Sequence, residues 1–486
     1  MIKIPKCMST QHPDNVNLPF FAENSMLKGD DEIQEAYYAF SHLDCDEQMW
    51  DCEGKEVDNF VIKKLLTKYE SFFKEKRLGK DLFLTLRVPN PTIERTEAKI
   101  LLETLESIPR SFDTANRIYD DNLPPVFEVI LPMTGSHECI DRIYKYYKDF
   151  VVGKQHKKFK KDDITIAEWI GKFEPETINV IPLFEDLPHM LDAHNIIEKY
   201  LKDKTNEYQR VFLARSDPAM NYGLVSAVLL NKIALKNFQE VSDDIGIKLY
   251  PIIGVGSAPF RGNLKPETVD RSISETPSVH TYSIQSAFKY DNSPEIVRKA
   301  IRKLHNNTTK KPHAIEIEES IKIIEKQKKE YQKEILRLSP IINRIAQYVP
   351  KRRKRKLHTG LFGYSRSVGE IQLPRAITFT ASLYSIGIPP EIIGLNALDS
   401  DDIQFIKKIY VNFENDLKDA LVYFNSDSPF LSDGLLSGIK SHITDIQIDI
   451  KHKKLTDYIT NALKKNTNED LREQVLKLAS LRKFLG

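Results

Sequence analysis

Between about residues 81 and 285 the chain repeats one pattern: a short run of β-branched and aromatic residues, then a polar residue, then a stretch with helical periodicity. The runs are nearly continuous in apolar character, which is typical of strands buried on both faces of a parallel sheet. Helical stretches at 92–119, 187–202 and 224–236 separate some of these runs, which lie at residues 82–88, 127–133, 179–184, 211–214, 249–255 and 280–284. This alternation predicts an α/β fold.

After residue 310 the chain changes to long, highly charged segments with amphipathic periodicity, at residues 315–348, 400–423 and 468–484. Such segments predict helices that pack on a core and expose their Glu, Lys and Arg side chains. We therefore expect a TIM-like parallel (β/α)8 barrel with a large additional α-helical layer.

The overall charge excludes a strong electrostatic field. Of the 486 residues, 71 are Lys or Arg and 69 are Asp or Glu, so nothing in the total charge favours nucleic acid or acidic membranes as partners. The N-terminus lacks a signal peptide, and no 18 consecutive residues are apolar, so we expect a soluble, cytoplasmic protein. The cysteines are too sparse for a disulfide scaffold, and we expect reduced thiols without a zinc role at Cys7, Cys45, Cys52 and Cys139.

A basic run, KRRKRK, occupies residues 351–356. Such a run can bind nucleic acid, but it has no interleaved aromatic residues and belongs to no recognisable nucleic-acid module. We favour a solvated loop or a subunit contact.

Reactive residue types fall at or just beyond the ends of the predicted strands. In a parallel barrel, side chains at the carboxyl ends of several strands assemble the active site, and they lie together at one edge. We therefore expect a common site formed by Arg87, Glu185, Asp217, Arg261 and Gln285.

The chemistry of this set suits a small polyanion. Glu185 and Asp217 are compatible with Mg²⁺, which needs few protein ligands because it keeps waters and substrate oxygens; a general acid/base pair is the open alternative. Guanidinium groups bind phosphate and carboxylate in a bidentate fork, and four arginines lie in loop-like contexts: Arg87, Arg261, Arg366 and Arg375. The glycine-rich segment 253–261 would let backbone N–H groups approach an oxyanion.

His12 lies in the segment TQHPDN, residues 10–15, among small polar residues and beside Pro13, with no apolar periodicity around it. Histidine titrates near neutral pH, and proline stiffens the loop, so this context favours a chemical role. A Cys7–His12 nucleophile is a conceivable alternative.

The set of motifs resembles that of phosphoenolpyruvate carboxylase, specifically its short archaeal type. TQHPDN looks like the N-terminal signature of that family. Further blocks are similar at residues 49–55 (MWDCEGK), 86–91 (LRVPNP), 284–290 (IQSAFKY) and 361–375 (LFGYSRSVGEIQLPR). The resemblance covers about residues 8–395 and implies a barrel of the phosphoenolpyruvate/pyruvate type.

The resemblance also implies roles. His12 would assist carboxylation, and Glu185 and Asp217 would hold Mg²⁺ or Mn²⁺. The catalytic arginines would be Arg87, Arg261, Arg366 and Arg375, and the substrate-binding residues would be Arg87, Gln285, Lys289, Arg366 and Arg375. Residues 1–310 would carry most of the barrel and the metal site, and 311–486 a mainly helical region that supplies active-site arginines, both packed as one unit. A homotetramer is implied as well.

The implied reaction joins phosphoenolpyruvate and bicarbonate to give oxaloacetate and phosphate, through carboxyphosphate and a metal-bound enolate. Two positions depart from the long form of the family: Val255 replaces an arginine, and Met220-Asn221 replaces Lys-Asp. Lys289 is a candidate for the missing cation. The alternatives are another metal-dependent lyase or phosphomutase on such a barrel and, in a different class, a nucleic-acid-binding or scaffold protein.

Overall fold

The computed structural model describes residues 3–52, 58–95, 98–353, 367–368, 371–442, 447–467 and 470–486. Its centre is a closed barrel of eight parallel strands that pair in chain order, and β1 pairs with β8 to close it. The strands are β1 Cys7–Ser9, β2 Glu47–Asp51, β3 Phe83–Arg87, β4 Glu128–Leu131, β5 Asn179–Phe184, β6 Tyr208–Ala214, β7 Lys248–Gly254 and β8 Thr281–Ile284. The predicted barrel is confirmed.

Helices surround the barrel. Those that precede β8 are α1 Asp30–Ser41, α2 Val61–Lys68, α3 Glu70–Glu75, α4 Ala98–Tyr119, α5 His137–Lys145, α6 Ile166–Ile170, α7 Leu187–Leu201, α8 Ser216–Tyr222, α9 Leu224–Ile245 and α10 Val269–Glu275. Those that follow are α11 Ser286–Tyr290, α12 Pro294–Asn306, α13 Ile317–Ala346, α14 Ala376–Ser385, α15 Ser400–Ile409, α16 Phe413–Leu421, α17 Asp433–His442, α18 Ile450–Lys464 and α19 Leu471–Arg482. Two further strands, β9 Ser367–Val368 and β10 Ile371–Gln372, pair antiparallel. The helical layer is thus confirmed.

The segment 400–423, which was predicted to be helical, contains two helices. Residues 400–423 do not form one helix, because α15 ends at Ile409 and α16 begins at Phe413. Between them the hydroxyl of buried Tyr410 donates to Asp416, and the backbone N–H of Asn412 donates to Glu275. These tertiary contacts override the helical periodicity of the sequence.

Local signals in the sequence explain how α7 begins and α9 ends. The Asp186 carboxylate accepts the backbone N–H of His189 at 3.0 Å and so caps α7, which has a proline in its first turn. Helix α9 ends at Ile245, and the next residue, Gly246, has a φ of +70°, a left-handed conformation that glycine adopts without strain. The cap matters for the site, because Asp186 directly follows Glu185.

The barrel interior is filled in layers. An apolar layer contains Met8, Met49, Ile130, Ile181, Leu183, Phe212, Ala214 and Ile252. On its amino-terminal side lies a buried ion triad, in which Arg210 contacts Glu47 at 2.6 Å and Glu128 at 2.8 Å. The triad joins β2, β4 and β6 across the barrel. Since all three side chains are at most 5% exposed, each charge is compensated by its partners in the triad and not by water.

The helical layer is packed onto the barrel. Helix α13 contacts α8 and α9, where the hydroxyl of Tyr331 donates to the carbonyl of Met220 at 2.8 Å. The side-chain oxygen of Gln327 accepts the backbone N–H of Ser226 at 2.7 Å. One apolar cluster includes residues from both sides of residue 310. The division of the chain into the regions 1–310 and 311–486 stays a prediction. In the described ranges, no helix combines the length and apolar character that a membrane crossing requires.

We expect Arg210→Met to lower the free energy of unfolding by about 3–5 kcal/mol, because Glu47 and Glu128 would remain buried without a counter-charge. Chemical denaturation followed by circular dichroism measures this loss. Lys74→Met is the control, since it breaks an exposed pair with Glu70 and should cost less than about 1 kcal/mol. Similar losses in the two variants would contradict the role of the triad.

Candidate functional site

The polar residues at the carboxyl ends of the strands continue the inward-facing set of side chains. Successive residues of a strand point to opposite faces, so every second residue points into the barrel. Met49 and Leu183 belong to the apolar layer, and Asp51 and Glu185 follow each of them by two residues. The barrel mouth is therefore lined by polar side chains directly above an apolar floor.

Arg87 and Asp51 form a bidentate ion pair at this mouth. The two residues are aligned on neighbouring strands, and the Arg87 Nε and Nη2 atoms donate to the Asp51 carboxylate at 3.0 and 3.1 Å. Their side chains are 8% and 1% exposed. Arg87 was predicted at this edge from the sequence but Asp51 was not, because three of the five residues of β2 are polar and the strand gives no continuous apolar run.

The two predicted metal ligands follow neighbouring strands, β5 and β6. Buried Glu185 accepts the backbone N–H of Met133 at 2.7 Å. Asp217 lies half-buried in the first turn of α8, and no hydrogen bond to its carboxylate is present among the described residues. Those residues also contain no cluster of three or more His, Cys, Asp and Glu side chains. Two neighbouring carboxylates still fit Mg²⁺, which often takes only one or two from the protein.

Arg261 joins four loops of the mouth. It is 2% exposed, and its guanidinium donates to Ser216 at 3.1 Å, to Asp14 at 3.4 Å, and to Gln285. Burial raises the pKa of the Asp14 carboxyl, although Arg261 and two backbone N–H groups favour its ionised form. The structure therefore brings Arg261 and Gln285 together, with Asp14 as a partner that the sequence analysis did not single out.

Glycines in the loop after β7 make room for Arg261. A Cβ atom at Gly256 would lie 2.8 Å from the Arg261 guanidinium carbon, and one at Gly262 would lie 2.5 Å from the Val255 side chain. The backbone N–H of Gly256 donates to the Arg261 carbonyl, and that of Ser257 donates to Asp14. These two amides thus have partners within the protein, so the expected oxyanion cradle is wrong for them.

His12 follows β1 and lies half-buried at the same edge of the barrel. Its Nδ1 atom lies 3.0 Å from the Thr10 hydroxyl oxygen, and the Thr10 hydroxyl donates to the Ile284 carbonyl at 3.2 Å. The backbone N–H of Ser286 donates to the His12 carbonyl. Because β1 pairs with β8, the His12 loop lies beside the loop that carries Gln285.

The alternative of a Cys7–His12 nucleophile is not supported. Cys7 is 0% exposed within β1, and burial raises the pKa of its thiol, which disfavours the reactive thiolate. The structure describes all four cysteines, and none of them forms a disulfide.

Lys289 lies beneath the His12 loop. Its ammonium group is 0% exposed and donates to the Ser9 hydroxyl at 3.0 Å, the Thr10 carbonyl at 2.9 Å and the Glu35 carboxylate at 3.1 Å. An ammonium group has three N–H donors, and these acceptors use all of them. Direct contact between Lys289 and the substrate stays a prediction.

The last two predicted arginines belong to the C-terminal region. Arg375 immediately precedes α14, a helix that packs against α8, which carries Asp217. Arg366 lies outside the described residues.

The expectation of a solvated basic run is wrong for Arg352 and Arg353, which are 8% and 4% exposed. The Arg352 guanidinium donates to the carbonyls of Asn15 and Val16, and Arg353 forms an ion pair with Glu35. Burial is tolerated because both groups have acceptors, which sequence alone does not reveal. Lys351 is exposed, and residues 354–356 lie outside the described part.

Burial also perturbs Glu391, which supports the Arg261 loop. Its carboxylate accepts the backbone N–H of Phe260 at 2.6 Å and the Tyr384 hydroxyl at 2.7 Å. Burial raises the pKa of Glu391 to about 7. The folded protein therefore retains a proton here over a pH range in which the unfolded chain releases it.

We expect the free energy of unfolding to fall as pH rises from the ordinary pKa of a glutamate to about 7, because the unfolded state then binds fewer protons than the folded state. Glu391→Gln should remove this dependence on pH. The free energy of unfolding of the variant, relative to that of wild type, should therefore be about 1–3 kcal/mol higher at pH 8 than at pH 5. Urea unfolding at the two pH values measures the difference. Exposed Glu414, replaced by Gln, is the control. Parallel pH profiles for wild type and Glu391→Gln would exclude this assignment.

A closed parallel barrel with carboxylates, arginines and a histidine at its carboxyl edge defines a TIM-barrel enzyme. The family model described as phosphoenolpyruvate carboxylase matches residues 4–486. The chain is 57% identical to a phosphoenolpyruvate carboxylase from Methanothermobacter thermautotrophicus and 56% identical to one from Methanospirillum hungatei, each over 100% of both chains. It belongs to the phosphoenolpyruvate carboxylase family.

Among solved structures, the chain is similar to malate synthase from Haloferax volcanii in a complex with magnesium and glyoxylate. That alignment covers 85% of this chain and 97% of the other at 10% identity, with a TM-score of 0.40.

Proposed function

We propose that this chain carboxylates phosphoenolpyruvate with bicarbonate to give oxaloacetate and phosphate. Identity above 50% over full length to relatives that bear the name of this activity carries the proposal. The experiment is a coupled assay in which oxaloacetate is reduced with NADH. Oxaloacetate formation that requires phosphoenolpyruvate, bicarbonate and a divalent cation supports the proposal, and its absence from folded protein overturns it.

In the first half-reaction, a bicarbonate oxygen attacks the phosphorus of phosphoenolpyruvate. The bond between phosphorus and the enol oxygen breaks, which gives carboxyphosphate and the enolate of pyruvate. Positive charge around the substrate lowers the barrier, because it offsets repulsion between two anions. We assign that charge to Arg87 and Arg375, with Arg366 added on the family resemblance.

We propose that Glu185 and Asp217 hold Mg²⁺ or Mn²⁺. Glu185 directly follows β5, Asp217 lies in the first turn of the helix after the neighbouring strand β6, and Asp217 is half-buried. A bound cation would supply Lewis-acid charge that no side chain of the site provides.

In the second half-reaction, carboxyphosphate breaks down to CO₂ and phosphate, and the enolate carbon attacks CO₂. The Thr10 hydroxyl donates to the Ile284 carbonyl, and we therefore propose that its oxygen accepts the Nδ1–H of His12. The contact orients the imidazole ring. We propose that His12 protonated at Nε2 stabilises the departing phosphate and keeps CO₂ near the enolate.

Two further properties are proposed on family membership alone: assembly as a homotetramer and location in the cytoplasm.

Glu185→Gln and Asp217→Asn should each reduce activity by a factor on the order of 1,000, because a two-carboxylate site loses charge and geometry together. Calorimetric titration with Mn²⁺ should show weakened binding in both variants, whereas exposed Glu414→Gln should bind like wild type. Undiminished Mn²⁺ affinity in either variant would remove that residue from the ligand set.

His12→Asn should retain bicarbonate-dependent phosphate release but divert the enolate to pyruvate. We expect the activation barrier of the carboxylation step to rise by about 3–5 kcal/mol, and the amount of oxaloacetate formed per phosphate released to fall accordingly. The measurement is the ratio of pyruvate to oxaloacetate for each phosphate released. Loss of all phosphate release would instead place His12 in the first half-reaction, and an unchanged ratio would exclude the role.

A further inference from the structure

A cluster of fully buried charges lies directly behind the loop that carries His12. Glu35, on α1, is at its centre. Its carboxylate lies 2.7 Å from the Arg353 Nη2 atom and 3.1 Å from the Lys289 Nζ atom, and all three side chains are 0% exposed. Arg353 also pairs with Glu32, one turn earlier on the same helix. We call Glu35, Arg353 and Lys289 the buried charge cluster.

The cluster contacts the His12 loop at successive residues. Lys289 donates to the Ser9 hydroxyl and the Thr10 carbonyl. The Gln11 side-chain amide donates to Glu35 at 3.4 Å. Residues 9, 10 and 11 are therefore all attached to the cluster, and Thr10 in turn contacts the His12 ring.

Stability alone does not explain three buried charges. Removing charges from water costs several kcal/mol per ion, and apolar side chains of similar volume often stabilise a core as well. Burial alone would raise the pKa of the Glu35 carboxyl, but Arg353 and Lys289 outweigh burial and hold that pKa well below its usual range. What the cluster adds is directional hydrogen bonding, which fixes atoms in place more tightly than apolar contacts do.

We infer that Glu35 is a positioning residue for the carboxylation half-reaction, and that Arg353 and Lys289 hold it in place. Glu35 fixes residues 9–11 through Lys289 and the Gln11 side chain, and so fixes the His12 ring relative to the barrel mouth. The inference rests on the proposed function. It also gives two members of the basic run a role, because Arg352 holds the carbonyls of Asn15 and Val16 on the other side of His12.

The mildest test is Tyr290→Phe, which removes one 2.8 Å hydrogen bond to Glu35 from a partly exposed side chain. The ratio of pyruvate to oxaloacetate should rise about two- to fivefold, with phosphate release changed by less than about twofold. Tyr147→Phe is the matched control, since it also removes a 2.8 Å tyrosine hydrogen bond, here to the carbonyl of Pro175 in the loop after α6. That control should keep the wild-type ratio.

Glu35→Gln should raise the same ratio further, on the order of 10- to 100-fold, because the His12 ring loses its fixed position while phosphoryl transfer persists. A role in stability alone would lower the yield of active protein without moving the ratio. If Glu35→Gln does not fold, Tyr290→Phe decides the question.

Failure of the inference and failure of the proposed function give different results. A wild-type protein that forms no oxaloacetate overturns the proposed function. A wild-type protein that forms oxaloacetate, with Tyr290→Phe and any folded Glu35→Gln at the wild-type ratio, overturns only the positioning role.

Discussion

The pairing of β1 with β8 is the constraint on which the site depends. It closes the barrel through the register of Cys7 with Tyr282, Met8 with Ser283 and Ser9 with Ile284. Closure brings the first loop of the chain beside the last loop of the barrel, so that a histidine at position 12 lies beside a glutamine at position 285. Without that pairing, the TQHPDN segment would have no fixed relation to the carboxylates after β5 and β6.

Several basic side chains at or behind the barrel mouth form ion pairs with buried carboxylates. Asp51 holds Arg87, Asp14 holds Arg261, and Glu35 holds Lys289. Each pair links segments distant in the chain, and in each the carboxylate lies on β2, on α1 or in the loop after β1. Cations held in this way are preorganised, so little reorganisation is needed when charge develops during the reaction.

The sequence predicted the fold class well because most residues of six of the eight strands, taken together, are buried, and these strands read as nearly continuous apolar runs. It missed β1, which has three residues, and β2, in which three of the five residues are polar. The positions of Arg87, Glu185 and Gln285 followed from the strand ends. The partners Asp51, Asp14 and Glu35 did not, because each meets its cation only through tertiary folding. Arg353 shows the same limit: a run of basic residues looks solvated until its acceptors are located.

The central claim is that bicarbonate attacks phosphorus at this mouth, before carbon–carbon bond formation. Bicarbonate labelled with ¹⁸O in all of its oxygens tests that order directly. Attack through one oxygen leaves that oxygen on phosphorus, so mass spectrometry at early times should find one label in each phosphate and two in the new carboxylate of oxaloacetate. Phosphate that carries no label would contradict the account, because water would then be the phosphoryl acceptor.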